Sequence, residues 1–296
     1  MSHQILLYYL YRRLADPEAY LEEHRALCQE LDLLGRILIG DEGINGTVSG
    51  STESTERYMA VMRGDERTSG IEFKVDLAGD HVFPKLSVKL RSEVVTLGLG
   101  EDDIDPNEIT GKRLGPEEWL EAMREDDVIL LDGRNDYESA LGHFKGALCP
   151  DVENFRDFPE WIRENLADKK DAKVLTYCTG GIRCEKLSGF LLQEGFQDVS
   201  QLHGGIVEYG KHSETQGRDF DGLCYVFDQR VGVEVNHTDS RKIVSSCWRC
   251  NEPCSRYCNC GWPECNDQIF LCEKCENEFG KFCGEACKSA FLAESA

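Results

Sequence analysis

Between residues 174 and 193 an apolar run, a cysteine, a pair of glycines and a helical pattern follow one another without a gap. Val174 to Tyr177 reads as a buried strand ending in Cys178. Gly180 and Gly181 open a loop that closes at Arg183, and a helix is predicted over Glu185 to Gln193, stopped by Gly195. A strand that runs straight into a helix belongs to a parallel sheet, because parallel neighbours need crossover connections. The glycines allow dihedrals that turn successive N–H groups inward. Those groups and the positive end of the helix surround the Cys178 sulfur with positive potential, which favours the thiolate. Arg183 adds a permanent charge and a forked donor for an anionic oxygen or sulfur. A lone cysteine at a strand end is usually just buried; strand, Cys-x-x-Gly-x-Arg loop and helix together favour chemistry.

The chain of 296 residues is longer than one ordinary core and suits two domains with an appendage. Around the loop, a helix over Pro116 to Met123, a strand over Val128 to Leu131 and a helix over Phe158 to Asn165 continue the alternation. They predict a parallel sheet covered on both faces. Asp132, Arg134 and Glu138 are expected to pin the loop through ion pairs, and Cys28 and Cys149 to be core or edge residues. Upstream, Gln4 to Leu10 reads as a strand, and Asp16-Pro17 caps and opens a helix that Gly35 ends. Strands follow at Arg36 to Ile39 and Gly46 to Val48 around an Asn45-Gly46 turn signal. A helix carrying Tyr58, Met59 and Met62, then strands at Ile71 to Val75 and Leu86 to Leu90, complete a ferredoxin-like α+β domain. Glu101 to Gly111 reads as a linker. The expected parts are 1–100, 108–215 and a small cysteine-rich segment, 222–296.

That last segment holds Cys247, Cys250, Cys254, Cys258, Cys260, Cys265, Cys272, Cys275, Cys283 and Cys287, ten of the chain's 15 cysteines. In a reducing compartment such a cluster reads as metal ligands before disulfides. Ten thiols supply two four-cysteine zinc sites with two left over, and spacing does not say which eight bind. So short a segment has few apolar residues of its own and needs metal to fold. An iron–sulfur cluster ranks below zinc. Cys184, next to Arg183, is either a second thiol that resolves an oxidised Cys178 or a small residue packing the first helical turn; packing is the favoured reading.

The loop, with Asp132-Gly133-Arg134, Gly142-His143-Phe144 and Leu202-His203-Gly204-Gly205, resembles the rhodanese family over roughly residues 110–212. Its six-residue length matches that family's sulfur-handling branch and not the related phosphatases. Nearly the whole chain resembles the oxygen-dependent tRNA uridine hydroxylases. The resemblance rests on Asp41 to Thr47, Val82 to Leu86, Asp103 to Pro106, Cys178 to Lys186, Val226 to Val231 and the terminal cysteines. It implies an enzyme that converts the wobble uridine of certain tRNAs to 5-hydroxyuridine with dioxygen, with Cys178 as the residue tied to activity. It further implies tRNA and an unidentified electron donor as partners; no catalytic cofactor beyond dioxygen is expected. Chemically, a thiolate adding at C6 of uracil makes C5 nucleophilic toward oxygen; a Cys178 persulfide is the other form.

The second-ranked function is a sulfurtransferase carrying sulfane sulfur on Cys178. A binding protein without activity ranks third, and the intact Cys178 and Arg183 count against it. A net charge of −22 argues against whole-surface nucleic-acid binding. The acidic excess is concentrated in residues 96–222, so a local basic face elsewhere is compatible with it. On Lys85 to Arg91, Leu86, Val88 and Leu90 alternate with Lys85, Ser87, Lys89 and Arg91. Lys85, Lys89 and Arg91 are therefore expected to form a tRNA-binding stripe, extended by Arg12 and Arg13. No apolar run reaches the roughly 18–20 residues of a membrane span, and the expected location is the cytoplasm.

Overall fold

The computed structural model describes residues 2–265 and 267–294. The first domain runs β1 (His3–Tyr11), α1 (Pro17–Glu30), β2 (Leu34–Gly40), β3 (Gly43–Ser51), α2 (Thr52–Gly64), β4 (Glu72–Ala78) and β5 (Leu86–Leu90). Its sheet order is β4-β1-β3-β2-β5, the ferredoxin-like arrangement with one strand added parallel to β2. Period-two alternation gives the sheet two faces. Leu6, Tyr8, Ile37, Ile39 and Val48 pack under the helices against Tyr20, Cys28, Tyr58 and Met62. Leu7, Tyr9 and Tyr11 point the other way, toward the second domain. The Asp16 side chain caps α1, accepting from the Ala19 N–H at 2.9 Å.

Two turn assignments change. Helix α1 ends at Glu30 rather than at Gly35, because Leu31 and Leu33 drop into the core. Gly35 instead lies within β2, where a side chain would strike the Thr47 carbonyl. Asn45-Gly46 is inside β3, and the hairpin turns at Asp41-Glu42. Gly46 is there because the Tyr8 ring packs on its backbone, a tertiary requirement that outweighs the local turn signal.

The second domain contains β6 (Lys112–Leu114), α3 (Pro116–Ala122), β7 (Val128–Asp132), α4 (Asp136–Leu141), β8 (Gly142–Phe144), α5 (Phe158–Asn165), β9 (Lys173–Tyr177), α6 (Ile182–Gln193), β10 (Asp198–Leu202) and α7 (Gly205–Lys211). Strands β6-β10-β9-β7 form a parallel sheet with β9 inside it. One face packs on Phe158, Ile162, Leu187 and Phe190. The other packs on Trp119, Ile206 and Tyr209. Residues 101–111 are no free linker. Ile104 is buried in the first of these cores, and the Thr110 hydroxyl bonds to Glu185 on α6. The polar content that suggested a linker is spent on pairing with charges of α6.

Beyond it, β11 (Phe220–Gly222) pairs with β8, and β12 (Cys224–Tyr225) with β13 (Gly232–Val233). The cysteine-rich segment has a hairpin of β14 (Tyr257–Asn259) and β15 (Gln268–Phe270), then α8 (Glu273–Phe279) and α9 (Glu285–Glu294). It rests on the second domain through Tyr257 against Tyr225, itself edge-on to Tyr137. Among the described residues no helix is long and apolar enough to cross a membrane.

Candidate active site

Strand β9 ends at Tyr177, and Cys178 follows at the mouth of the parallel sheet, where such folds place their chemistry. Gly181 adopts φ +100°, a region open to glycine at little cost, and its N–H points at the Cys178 sulfur from 3.1 Å. Helix α6 begins at Ile182, earlier than predicted, so Arg183 lies in its first turn. A second loop clamps the first: the N–H groups of Ile206 and Val207 donate to the carbonyls of Cys178 and Thr179 at 3.0 and 3.1 Å. Gly205, at φ +70°, lies so close to those carbonyls that a side chain would clash with both.

Burial alone raises the Cys178 thiol pKa. The Cys184 side chain, the Arg183 charge and the N–H groups of Cys184 and Gly181 outweigh it and bring the pKa down to about 5. Cys184 moves the opposite way, raised by burial and by the neighbouring Cys178 anion. The pair is therefore one thiolate and one thiol, both fully buried. Arg183 does not offer its fork to a ligand. Both its terminal nitrogens bind Glu138, at 2.5 and 2.8 Å, so it acts on Cys178 as a fixed charge. Asp132 and Arg134 form a fully buried pair at 2.6 Å, and the Tyr177 hydroxyl donates to Asp132 at 2.8 Å. This pins the end of β7 to the end of β9, the strand that presents Cys178.

The roof of the site comes from the first domain, which the sequence reading had not joined to it. Leu7 packs on Gly180, where no side chain would fit. The Tyr9 hydroxyl donates to Glu185 at 3.0 Å and the Tyr11 hydroxyl to the Ile182 carbonyl at 3.3 Å. Lys186 is fully buried and meets Asp103 at 2.6 Å, Glu42 at 2.8 Å and Glu93 at 3.1 Å. The usable signal lay in α6 itself: charged residues in a helix that packs against a sheet require partners from elsewhere.

Lys85, Lys89 and Arg91 are exposed, and among the described residues no ion pair ties them to an acid. They are not brought to Cys178: β5 lies three strands from β1, about 14 Å across the sheet at about 4.8 Å per strand. Arg12 does not extend the stripe, since its guanidinium binds the Glu66 carbonyl and Ser69.

The fold sorts the ten cysteines. Cys247, Cys250, Cys272 and Cys275 form one group and Cys260, Cys265, Cys283 and Cys287 another, with all sulfurs of each group within 4.8 Å of one another. Cys254 and Cys258 are left over. A tetrahedral zinc with bonds of about 2.3 Å sets its sulfurs about 3.8 Å apart. The Cys250–Cys272 and Cys265–Cys283 separations of 3.8 and 3.6 Å match that edge. A multi-iron cluster needs a wider cage. Burial raises Cys247, but N–H groups of Cys272, Cys250 and Arg249 bring it to about 6, the deprotonated form a metal takes.

Three family profiles tile the chain: the UPF0176 acylphosphatase like domain over residues 3–94, the rhodanese-like domain over 116–212 and the rhodanase C-terminal region over 221–288. Among named sequences, the tRNA uridine(34) hydroxylase of Staphylococcus saprophyticus is 53% identical over 287 residues, covering 97% of this chain and 90% of that one. Those of Bacillus cereus and Bacillus cytotoxicus are 53% and 54% identical over 286 residues, covering 97% of this chain and 89% and 88% of theirs.

Proposed function

The chain belongs to the tRNA uridine(34) hydroxylase family, and we propose from that membership and the site geometry that Cys178 carries its reaction. The enzyme is an oxygen-dependent oxidoreductase that converts the wobble uridine of tRNA to 5-hydroxyuridine. One atom of dioxygen replaces hydrogen at C5; the other leaves as water, with two electrons and two protons from an external donor. The observation that carries the reading is the Cys178 sulfur, held as a thiolate by Gly181, Cys184 and Arg183. Addition of that thiolate at C6 makes C5 electron-rich; loss of the C5 proton and of the thiolate after oxygen transfer restores the ring. Gly180 and Gly181 shape the loop, Arg183 supplies fixed charge, and Cys184 keeps its proton beside the anion.

The parts 1–100, 108–215 and 222–296 divide the work into roof, thiolate site and metal-stabilised segment. Each four-cysteine group takes one zinc ion, which holds that segment together rather than entering the reaction. Lys85, Lys89 and Arg91 contact tRNA phosphates, and the enzyme works in the cytoplasm with its substrate. Sulfur transfer is not favoured, because relatives this similar over about nine-tenths of their length are named hydroxylases. The test is Cys178→Ser in cells lacking the native gene, read by mass spectrometry of tRNA nucleosides. Serine has no accessible anion at neutral pH, so 5-hydroxyuridine should vanish with the fold intact; wild-type levels would remove Cys178 from the reaction.

A further inference from the structure

A cavity of about 90 Å³ lies beside the active loop, between the open face of the first domain's sheet and the chain that follows β12. Thr179 and Val207 line it from the loop side, Leu7 and Thr47 from the sheet, and Phe227 from the following segment. Its charges divide into two sets. Asp76, Asp228 and Arg230 neutralise one another, with Arg230 at 2.7 Å from Asp228 and 3.3 Å from Asp76, and Lys211 at 2.6 Å from Asp76. Arg36 and Lys74 have no ion-pair partner among the described residues.

Lys74 is the unusual one. It is 6% exposed, and its ammonium sits 5.1 Å from the Tyr9 ring centre. Burial lowers its pKa, opposed by the more distant charges of Glu208, Glu72 and Cys178. An ammonium this far from water and without a carboxylate partner carries a desolvation cost. The face of the Tyr9 ring returns part of that cost, and no carboxylate among the described residues closes on the nitrogen.

The rest of the lining describes what would use this cation. Phe227, 46% exposed, presents an aromatic ring at the cavity. Arg36 on β2 points to the same sheet face as Lys89 on β5, since Arg36 pairs with Ser87 and Leu38 with Lys89 while Ile37 and Ile39 are in the core. The exposed cations of β5 therefore continue inward to Arg36 at the cavity. Enzymes acting on an RNA base turn it out of its stack into a pocket, hold its ring on an aromatic and read its hydrogen-bonding edge.

We propose that this cavity receives the uracil ring of the wobble nucleotide, with Lys74 donating to the exocyclic oxygen at C4. The inference rests on the uridine reading of the site. Phe227 supports the ring and Arg36 takes a flanking phosphate. A base seated there rests against Thr179, and Cys178 is the next residue behind it. Lys74 also explains choice of base: an ammonium has only donors, which suit the C4 oxygen of uracil and oppose the C4 amino group of cytosine.

The test combines Lys74→Met with Thr47→Trp, which fills the cavity from its sheet side. Each is expressed in cells lacking the native gene, and tRNA nucleosides are measured. Both should lower 5-hydroxyuridine about tenfold or more, the loss of one charged hydrogen bond or of the room for the ring. Purified Lys74→Met should melt at or above the wild-type temperature and bind tRNA within about twofold, because one base contact adds little to many phosphate contacts. A merely structural lysine would give the opposite, lower melting with activity retained at low temperature. Anticodon stem-loops with uridine or cytidine at the wobble position should compete unequally for the wild type and equally for Lys74→Met. Wild-type 5-hydroxyuridine in both variants, or an unchanged uridine preference in Lys74→Met, overturns the placement and leaves the hydroxylase reading intact. Failure of the wild-type chain itself to restore 5-hydroxyuridine overturns both.

Discussion

Replacing Lys186 by methionine should loosen the roof from the reactive loop. One fully buried ammonium holds carboxylates from three segments: Glu42 at the β2–β3 turn, Glu93 beyond β5 and Asp103 ahead of β6. Burial alone lowers the Lys186 pKa, but Asp103 and Glu42 more than reverse it, so the group stays charged. Methionine fills much the same volume and leaves three carboxylates together with no counter-ion. Removing one partner of a buried pair costs about 3–5 kcal/mol; these carboxylates are 14–26% exposed, so about 3 kcal/mol is expected. Adding Glu42→Gln should then be less damaging than Glu42→Gln alone, with a coupling of about 1 kcal/mol. Urea unfolding measures the stabilities, and timed alkylation with peptide mass spectrometry measures access to Cys178. Labelling should quicken, because Leu7 and Tyr9 lie against the loop that Lys186 secures. Additive double-mutant stabilities within about 0.5 kcal/mol, with unchanged labelling, would refute this account of the domain contact.

With the Cys178 pKa brought down to about 5, the thiolate is fully present at pH 7 and is lost as pH falls through 5. Single-turnover hydroxylation should therefore be level from neutrality down and drop near pH 5; an inflection near the ordinary thiol value would contradict the assigned environment. Elemental analysis should find two zinc ions per chain, one lost in Cys272→Ser and the other in Cys283→Ser, while Cys254→Ser and Cys258→Ser keep both. Loss of metal from Cys254→Ser would show the sorting wrong. Lys89→Glu with Arg91→Glu should weaken tRNA binding and flatten its salt dependence by about 0.7–0.9 per lost phosphate contact, without slowing alkylation of Cys178. An unchanged slope in a salt titration would move the tRNA to another surface.

The parallel-sheet domain was legible because its signals are local. Val174 to Tyr177, Cys178 and the two glycines are adjacent in sequence, and the strand period of β1 and β5 shows in alternating residues. Contacts between surfaces leave no such mark. Leu7, Tyr9 and Tyr11 read as ordinary outward positions of a strand, yet they cover the loop that follows Cys178. Arg183 and Glu138 were both visible, but their pairing across 45 residues, which removes the fork from ligand duty, is a tertiary fact. Asn45-Gly46 misled because glycine serves close packing as well as turns. Lys74 is hidden in the sequence by its place in β4 between Phe73 and Val75, where alternation suggests a solvated side chain. The cysteines could be counted but not sorted, since Cys250 meets Cys272 only after the hairpin of β14 and β15 folds back.

The central claim is that this chain places oxygen from dioxygen on the wobble uridine through Cys178. Cells lacking the native gene, supplied with this chain and grown under isotopically heavy dioxygen, test it in one mass-spectrometric measurement of tRNA nucleosides. Heavy oxygen in 5-hydroxyuridine with the wild-type chain, and no 5-hydroxyuridine with Cys178→Ser, is the predicted result. Unlabelled 5-hydroxyuridine, or labelled product at full level from Cys178→Ser, would contradict it.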